Sequence, residues 1–197
     1  MYFCKRAESI WLALLLLNPM QTGNEILHWR ELFDTFSRSF AMTLIQELMN
    51  QATNGGLLNA QTIKRFSPAE IRETIQSLVA TEQMALASAL GDAGLSIYPQ
   101  SEDMLAISSL LAMTNQDWQL AVELIEELVD IQGEKTPPFT LVMFVRALRC
   151  NLDPERALAV ARHGLSLYPE QLELQAEKLS LDDFSQSMMP APSGMTH

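Results

Sequence analysis

Residues 153–169, with the sequence DPERALAVARHGLSLYP, are the part of the chain that decides the fold. Ala157, Ala161 and Gly164 follow one another by four and then by three residues. That spacing places three small side chains on one face of a helix. Because small side chains let a neighbouring helix come close, the stretch predicts a helix that packs tightly against another helix.

Both ends of this helix are marked in the sequence. Asp153 can cap the first turn, and Pro154 suits that turn because the first N–H groups of a helix have no intrahelical partner. Pro169 does not continue a helix, so we expect the helix to stop by Tyr168.

The same pattern occurs twice upstream, which makes the stretch one unit of a repeat. Thirty-six residues earlier the corresponding positions are Ala121, Ile125, Leu128, Val129 and Gly133. Thirty-four residues before those, they are Ala87, Gly91, Gly94, Leu95 and Pro99. The closest correspondence is GLSIYP at residues 94–99 against GLSLYP at residues 164–169. Another apolar helix is predicted before each unit, at residues 71–79, 105–113 and 141–148, so each unit is a helix hairpin.

A period near 34 residues, paired helices and the pattern Ala-x3-small-x2-small-Leu-x3-Pro resemble the tetratricopeptide repeat family. The resemblance covers about three repeats over residues 68–170. The first helices depart from the family pattern, since its aromatic, Leu-Gly and Tyr marks are replaced, for example by Leu105, Ser108 and Ala112. The resemblance implies an all-α fold, a helical-hairpin solenoid wound as a right-handed superhelix.

The chain divides into four predicted segments. Residues 1–66 form an N-terminal helical region, and residues 67–170 form the repeats, which open with a capping box at Ser67 and Glu70. Residues 171–188 are a capping helix with leucines among charges, and residues 189–197 are a disordered tail rich in Pro and Ser.

Two apolar features mark the N-terminal region. The run IWLALLLL at residues 10–17 is too short for a transmembrane helix, which needs about 20 apolar residues. Its basic start leaves a signal peptide as the alternative to a buried or partner-covered helix. Residues 24–51 read as one long helix with an aromatic stripe at Phe33, Phe36 and Phe40. This stripe either packs against the rest of the chain or forms an interface, including a possible homodimer.

The charge distribution argues against nucleic acid as a partner. Residues 67–134 contain twelve acidic residues and one basic residue, Arg72, whereas phosphate contact needs clustered Lys or Arg. The two cysteines, Cys4 and Cys150, share no metal-site or disulfide spacing and fit a reducing compartment, which predicts a cytoplasmic location.

Catalytic, cofactor and metal motifs are missing from the sequence. The three histidines, His28, His163 and His197, lie in separate segments, and none belongs to an H-E-x-x-H motif. Gly55 and Gly56 follow no predicted strand, so they mark a turn and not a phosphate loop. We therefore expect neither an enzyme nor a cofactor.

The family resemblance implies a groove lined by the first helix of each hairpin. Steps of three and four residues along these helices select Arg72, Gln76, Asp103, Ala106, Leu110, Met113, Phe139, Val142, Arg146 and Arg149. Arginines beside apolar residues suit a segment with acidic and apolar side chains. In the alternative reading, Arg146 and Arg149 pair with acidic residues of the preceding hairpin and stabilise the stack.

Two functions follow from the resemblance. One is an adaptor whose groove holds a peptide or helix of another protein. The other is a small acidic secretion or assembly chaperone, similar to bacterial type III secretion chaperones. A chaperone covers an unfolded segment, whereas an adaptor joins two folded partners.

Overall fold

The computed structural model describes residues 63–188, which form seven α-helices and one short 3-10 helix, without a strand. The helices are α1 (Pro68–Ala80), α2 (Met84–Ile97), α3 (Glu102–Thr114), α4 (Trp118–Gln132), the 3-10 helix (Gly133–Lys135), α5 (Pro138–Cys150), α6 (Pro154–Leu167) and α7 (Leu172–Met188). Each hairpin helix predicted from the sequence is present. The all-α prediction of a helical-hairpin solenoid is confirmed for this part of the chain.

These helices belong to two compact units, one ending at Asp117 and the other beginning at Trp118. In the first unit α1 and α2 form a hairpin, and both pack against α3. In the second unit α5 packs against α4 and α6, and α7 packs against α5 and α6. The two helices of the second predicted hairpin, α3 and α4, therefore belong to different units.

Two predicted helix starts are confirmed in atomic detail. The Ser67 backbone N–H donates to Glu70 Oε2 at 2.7 Å, and the Glu70 N–H donates to Ser67 Oγ at 3.4 Å, which completes the capping box. At the start of α6 the Arg156 N–H donates to Asp153 Oδ1 at 3.2 Å. Side chains thus satisfy backbone donors that the first helical turn leaves unpaired.

The small residues of the repeat occupy equivalent and fully buried positions. Ala87, Ala121 and Ala157 are the fourth residues of α2, α4 and α6, and each is 0% exposed. Each of these second helices therefore turns the same face inward, as the offsets of 36 and 34 residues predict.

Gly164 shows why this face has to be small. A Cβ atom at Gly164 would lie 2.8 Å from Leu174 Cδ1 of α7 and 3.3 Å from Leu141 Cδ1 of α5. The second helix α6 thus touches two first helices at one point, the one in its own hairpin and the one after it. A side chain at this position would require Leu174 and Leu141 to repack, and a branched side chain would overlap both of them.

The first unit contains the same contact. A Cβ atom at Gly94 of α2 would lie 2.6 Å from Met104 Sδ of α3 and 3.2 Å from Ile71 Cγ2 of α1. One turn earlier, a Cβ atom at Gly91 would lie 2.8 Å from Leu111 Cδ1. Each unit is therefore built on one three-helix contact around a glycine.

Replacing this glycine tests the contact. We expect Gly164→Val to lower the free energy of unfolding by about 3 kcal/mol, because its branched side chain overlaps two buried leucines. Ala159→Val, at an exposed position of the same helix, is the matched control and should lower stability by less than about 1 kcal/mol, the cost of a β-branched residue in a helix. Urea unfolding followed by circular dichroism measures both. Equal stability of the two variants would contradict the close contact.

The repeated tyrosine closes each hairpin with a hydrogen bond. The Tyr98 hydroxyl donates to the Phe66 carbonyl oxygen at 3.0 Å, and the Tyr168 hydroxyl donates to the Thr136 carbonyl oxygen at 3.0 Å. Each acceptor lies 32 residues before its tyrosine, two residues ahead of the first helix of the same hairpin. The bond joins the end of the second helix to the start of the first, which explains the tyrosine shared by GLSIYP and GLSLYP.

The turn between the two helices of each pair contains a residue with a positive φ angle, which the sequence does not predict because that residue is not glycine. Glu82, Gln116 and Leu152 have φ angles of 60°, 62° and 63°, and they are spaced by the repeat offsets. The residue after each donates its N–H to a carbonyl five residues earlier, in the bonds Gln83 to Leu78, Asp117 to Ala112 and Asp153 to Leu148. These are Schellman caps, in which glycine usually occupies the left-handed position.

Glycine at the third of these positions should stabilise the protein. Leu152 is 88% exposed, so its side chain gains little from burial while its backbone adopts a left-handed conformation. We expect Leu152→Gly to raise the free energy of unfolding by about 1 kcal/mol. Leu152→Ala keeps the unfavourable φ angle and serves as control. A glycine variant no more stable than the alanine variant in urea unfolding would refute the backbone explanation.

Several predictions lie outside the described residues. They are the apolar run at residues 10–17, the long helix at residues 24–51 with its candidate interface at Phe33, Phe36 and Phe40, and the tail at residues 189–197. They remain predictions.

Candidate functional site

The predicted groove residues lie on the first helices, and within each unit two of these helices pack against each other, α1 with α3 and α5 with α7. We call this set of side chains the first-helix strip. In the first unit it contains Arg72, Gln76, Asp103, Ala106, Leu110 and Met113. In the second unit it contains Phe139, Val142, Arg146 and Arg149.

An ion pair ties the strip of the first unit together. Arg72 Nη1 of α1 donates to Asp103 Oδ1 of α3, and the two side chains are 20% and 34% exposed. Gln76 and Ala106 beside them are half-buried. Arg72 Nε is buried and has no hydrogen-bond partner within the described part of the chain. The structure thus joins Arg72 and Asp103, while Gln76 and Ala106 lie about one turn further along the same two helices.

Three apolar members of the strip are buried. Leu110, Met113 and Val142 are 2%, 6% and 0% exposed, so they contribute to the interior and not to an open surface. The reason is that α3 and α5 are covered on more than one side, with nine and eight buried residues respectively. Helical periodicity finds the face of a helix but does not tell a groove-lining position from a second buried face.

The strip of the second unit is organised by Glu177 of α7. Arg146 Nε donates to Glu177 Oε1 at 2.7 Å, and Arg149 Nη1 donates to Glu177 Oε2 at 2.6 Å. The glutamate side chain is 10% exposed, while the arginine side chains are 36% and 25% exposed. One nearly buried carboxylate therefore holds two arginines side by side.

The sequence pointed to the two arginines but not to Glu177. It left open that Arg146 and Arg149 pair with acidic residues of the preceding hairpin, and the structure pairs both of them with Glu177 of α7. The carboxylates of α4 point outward instead, and Glu126 pairs with Arg156 of α6 at 2.9 Å between two exposed side chains. The repeat spacing indicates Glu177 as the partner of Arg146, because this pair and the pair Arg72–Asp103 are both 31 residues apart.

The cluster of Arg146, Glu177 and Arg149 carries a net charge of +1 in an acidic setting. The second unit has six basic and twelve acidic residues, a net charge of −6. Phe139 lies half-buried on the same helical line as the arginines. Phe184, 48% exposed and seven residues after Glu177, adds a second aromatic side chain outside the predicted groove residues. The cluster thus places positive charge on the helices that carry these two aromatic side chains.

Metal-binding groups and membrane-spanning helices are absent from the described residues. Between residues 63 and 188 no group of His, Cys, Asp and Glu side chains is arranged to hold a metal ion. No helix in this range is long and apolar enough to cross a membrane. His163 is exposed on α6, a second helix, away from the first-helix strip.

Comparisons with known proteins support the fold. No family model and no curated protein matches the chain. Among solved structures, a point mutant of MamA, a protein that contains tetratricopeptide repeats, is similar to this chain with a TM-score of 0.56 and 13% sequence identity. The match covers 78% of this chain and 90% of that one. This likeness supports a fold like that of tetratricopeptide repeats, and the similarity to type III secretion chaperones remains a prediction.

Removing Glu177 tests the cluster. We expect Glu177→Ala to lower the free energy of unfolding by about 2 kcal/mol, because it removes the carboxylate that lies between two neighbouring guanidinium groups and leaves their like charges side by side. Arg146→Ala should lower the free energy of unfolding by less than about 1 kcal/mol, since Glu177 still pairs with Arg149 and the Arg146 side chain is partly exposed. Glu173→Ala, an exposed carboxylate on the same helix, is the control. If Glu177→Ala unfolds at the same urea concentration as Glu173→Ala, the cluster does not stabilise the fold.

Proposed function

We propose that this protein is a protein-interaction adaptor that holds a peptide or helical segment of another protein on the first-helix strip of its second unit. The observation that carries the proposal is the cluster of Arg146, Glu177 and Arg149, which is positive within an otherwise acidic unit. A ligand with carboxylates next to apolar side chains fits this surface best.

The arginines are positioned before any ligand arrives. Each is held by Glu177, so less side-chain freedom is lost when a carboxylate binds. The Arg146 ion pair runs through Nε, which leaves the two terminal nitrogens of its guanidinium outside this bond. Guanidinium groups bind carboxylates through paired, charge-assisted hydrogen bonds. Arg146, with the most exposed side chain of the three, is therefore the residue best suited to meet a carboxylate.

Aromatic side chains supply the apolar part of the surface. Phe139 lies on the same helical line as Arg146, seven residues before it. Rigid aromatic anchors contribute strongly to interface affinity at a low entropic cost. A segment that combines carboxylates with apolar residues would use both ends of this line. The charge of the unit also favours a protein segment over nucleic acid, since isolated arginines among carboxylates do not form a phosphate-binding surface.

A photo-crosslinking amino acid at position 139 identifies the segment. We expect crosslinks from this position, in the cell of origin, to peptides that contain Asp or Glu beside apolar residues. The same amino acid at His163, exposed on a second helix, is the control and should not crosslink to them. Mass spectrometry of the crosslinked peptides reads out both positions. Crosslinking of the same peptides from both positions would rule out the strip as the binding surface.

Charge reversal of the cluster then tests its role. The triple variant Arg146→Glu, Arg149→Glu, Glu177→Arg keeps one charge between two opposite ones and changes the net charge of the cluster from +1 to −1. We expect the affinity for the identified segment to fall tenfold or more, by analogy with like-charge contacts at interfaces. Arg162→Glu, at an exposed position of α6, changes a charge elsewhere and should leave the affinity unchanged. Wild-type affinity in a triple variant of unchanged helical content would contradict the proposal.

A further inference from the structure

Helix α7 occupies the position of a first helix, but the described chain ends with it. Its first residue, Leu172, lies 34 residues after Pro138, the first residue of α5. It packs against α5 and α6 as α3 packs against α1 and α2 in the other unit. In the hairpin α5–α6, a second helix covers the first. Within residues 63–188 no second helix follows α7.

A line of small and apolar side chains runs along the open side of α7. Leu172, Ala176 and Leu179 are spaced by four and three residues, and all three are exposed, the leucines by 75% and 63%. The equivalents of Ala176 and Leu179 in α5 are Val142 and Val145, both 0% exposed. Helix α7 therefore presents to solvent a side that α5 buries.

The exposed leucines are not needed to hold α7 in its unit. Leu174 and Leu181, at 0% and 3% exposure, anchor it from the opposite side of the helix. Terminal units of repeat proteins usually have a polar outer face, because no neighbour covers it. Leu172 and Leu179 depart from this tendency, because they form an exposed apolar line on the outer face. Exposed apolar surface of this kind is typical of docking surfaces.

The charges around the line point to the kind of partner. Asp183 continues the line four residues after Leu179, and Glu173 lies beside Leu172; both are exposed. The one basic residue of α7, Lys178, pairs with Asp182 at 2.7 Å. The rim of the apolar line is thus acidic, which favours a partner with Lys or Arg next to its apolar residues.

A second copy of this chain fits the line poorly. If two α7 helices met in parallel, Asp183 would face Asp183 of the other copy, and like charges would oppose each other. If they met antiparallel, Asp183 would lie against Leu172 and its carboxylate would be covered without a partner. Both arrangements carry a cost that a basic partner avoids.

We infer that the line Leu172, Ala176, Leu179 and Asp183 is a second docking surface, which takes an amphipathic helix of another protein with apolar residues three or four apart and a Lys or Arg facing Asp183. Laying an apolar helix face on an apolar line is a common mode of peptide recognition. Since the first-helix strip involves Arg146 and Glu177 on another side of the fold, the two surfaces are independent. The protein could then hold two partners at once.

Synthetic helices test the surface directly. One fluorescent peptide of about 18 residues carries leucines on one face and lysines elsewhere, and its matched peptide carries glutamates in place of the lysines. Both are titrated at physiological ionic strength against the full chain and the variants Leu172→Gln with Leu179→Gln, and Asp183→Lys. Leu152→Gln, an exposed leucine in the turn after α5, and Asp130→Lys, an exposed carboxylate on α4, are the matched controls.

We expect the lysine peptide to bind and the double leucine variant to bind it tenfold or more weakly, because each leucine buries apolar surface in the complex. Asp183→Lys should weaken the lysine peptide and strengthen the glutamate peptide, and neither control should change affinity by more than about twofold. No binding by the wild type, or equal loss in the controls, would overturn the inference. A wild-type dimer in sedimentation velocity that becomes monomeric in the double leucine variant would also overturn it, since a second copy would then occupy the line.

Discussion

The contact around a glycine in each second helix is the constraint on which the rest of the structure depends. At Gly164 of α6 a Cβ atom would require the leucine side chains of α5 and α7 to shift, and Gly94 has the same role in the first unit. The approach sets the spacing between successive first helices. That spacing in turn lets Arg146 and Arg149 of α5 reach one carboxylate on α7. A larger residue at Gly164 would therefore disturb the proposed binding surface as well as the core.

Charge is divided between the two kinds of helix in the second unit. The second helix α4 carries exposed carboxylates, among them Glu123, Glu127 and Asp130, whereas the arginines of α5 lie on the strip and are bridged by Glu177. Exposed carboxylates repel acidic molecules at long range. On the proposals made above, a ligand with carboxylates would bind where guanidinium groups offer paired hydrogen bonds, and a basic helix would bind on the acidic rim of α7. This division of charge would let the protein distinguish two partners of opposite charge and bind each on a different surface.

Local sequence was enough to determine the hairpins. The small residues at Ala87, Ala121 and Ala157, the capping box at Ser67 and the proline after Tyr168 each act within one helix or one turn, so their spacing can be read directly from the chain. The repeat offsets then placed equivalent helices without any knowledge of their packing. The same reasoning found Arg72, Arg146 and Arg149 on one side of the first helices, because side-chain direction in a helix follows from residue number.

Only the tertiary structure decided what covers each face and which charges meet. Leu110 and Val142 have the spacing of groove residues but are buried. Helical periodicity shows which residues share a face, and it does not show how many neighbouring helices cover that helix. Glu177 lies 31 residues after Arg146, and the two meet because α7 packs on α5. The left-handed turns at Glu82, Gln116 and Leu152 were equally hidden, because residues other than glycine occupy them. Sequence thus determined the elements whose causes are local, while packing decided the site, whose causes are contacts between distant residues.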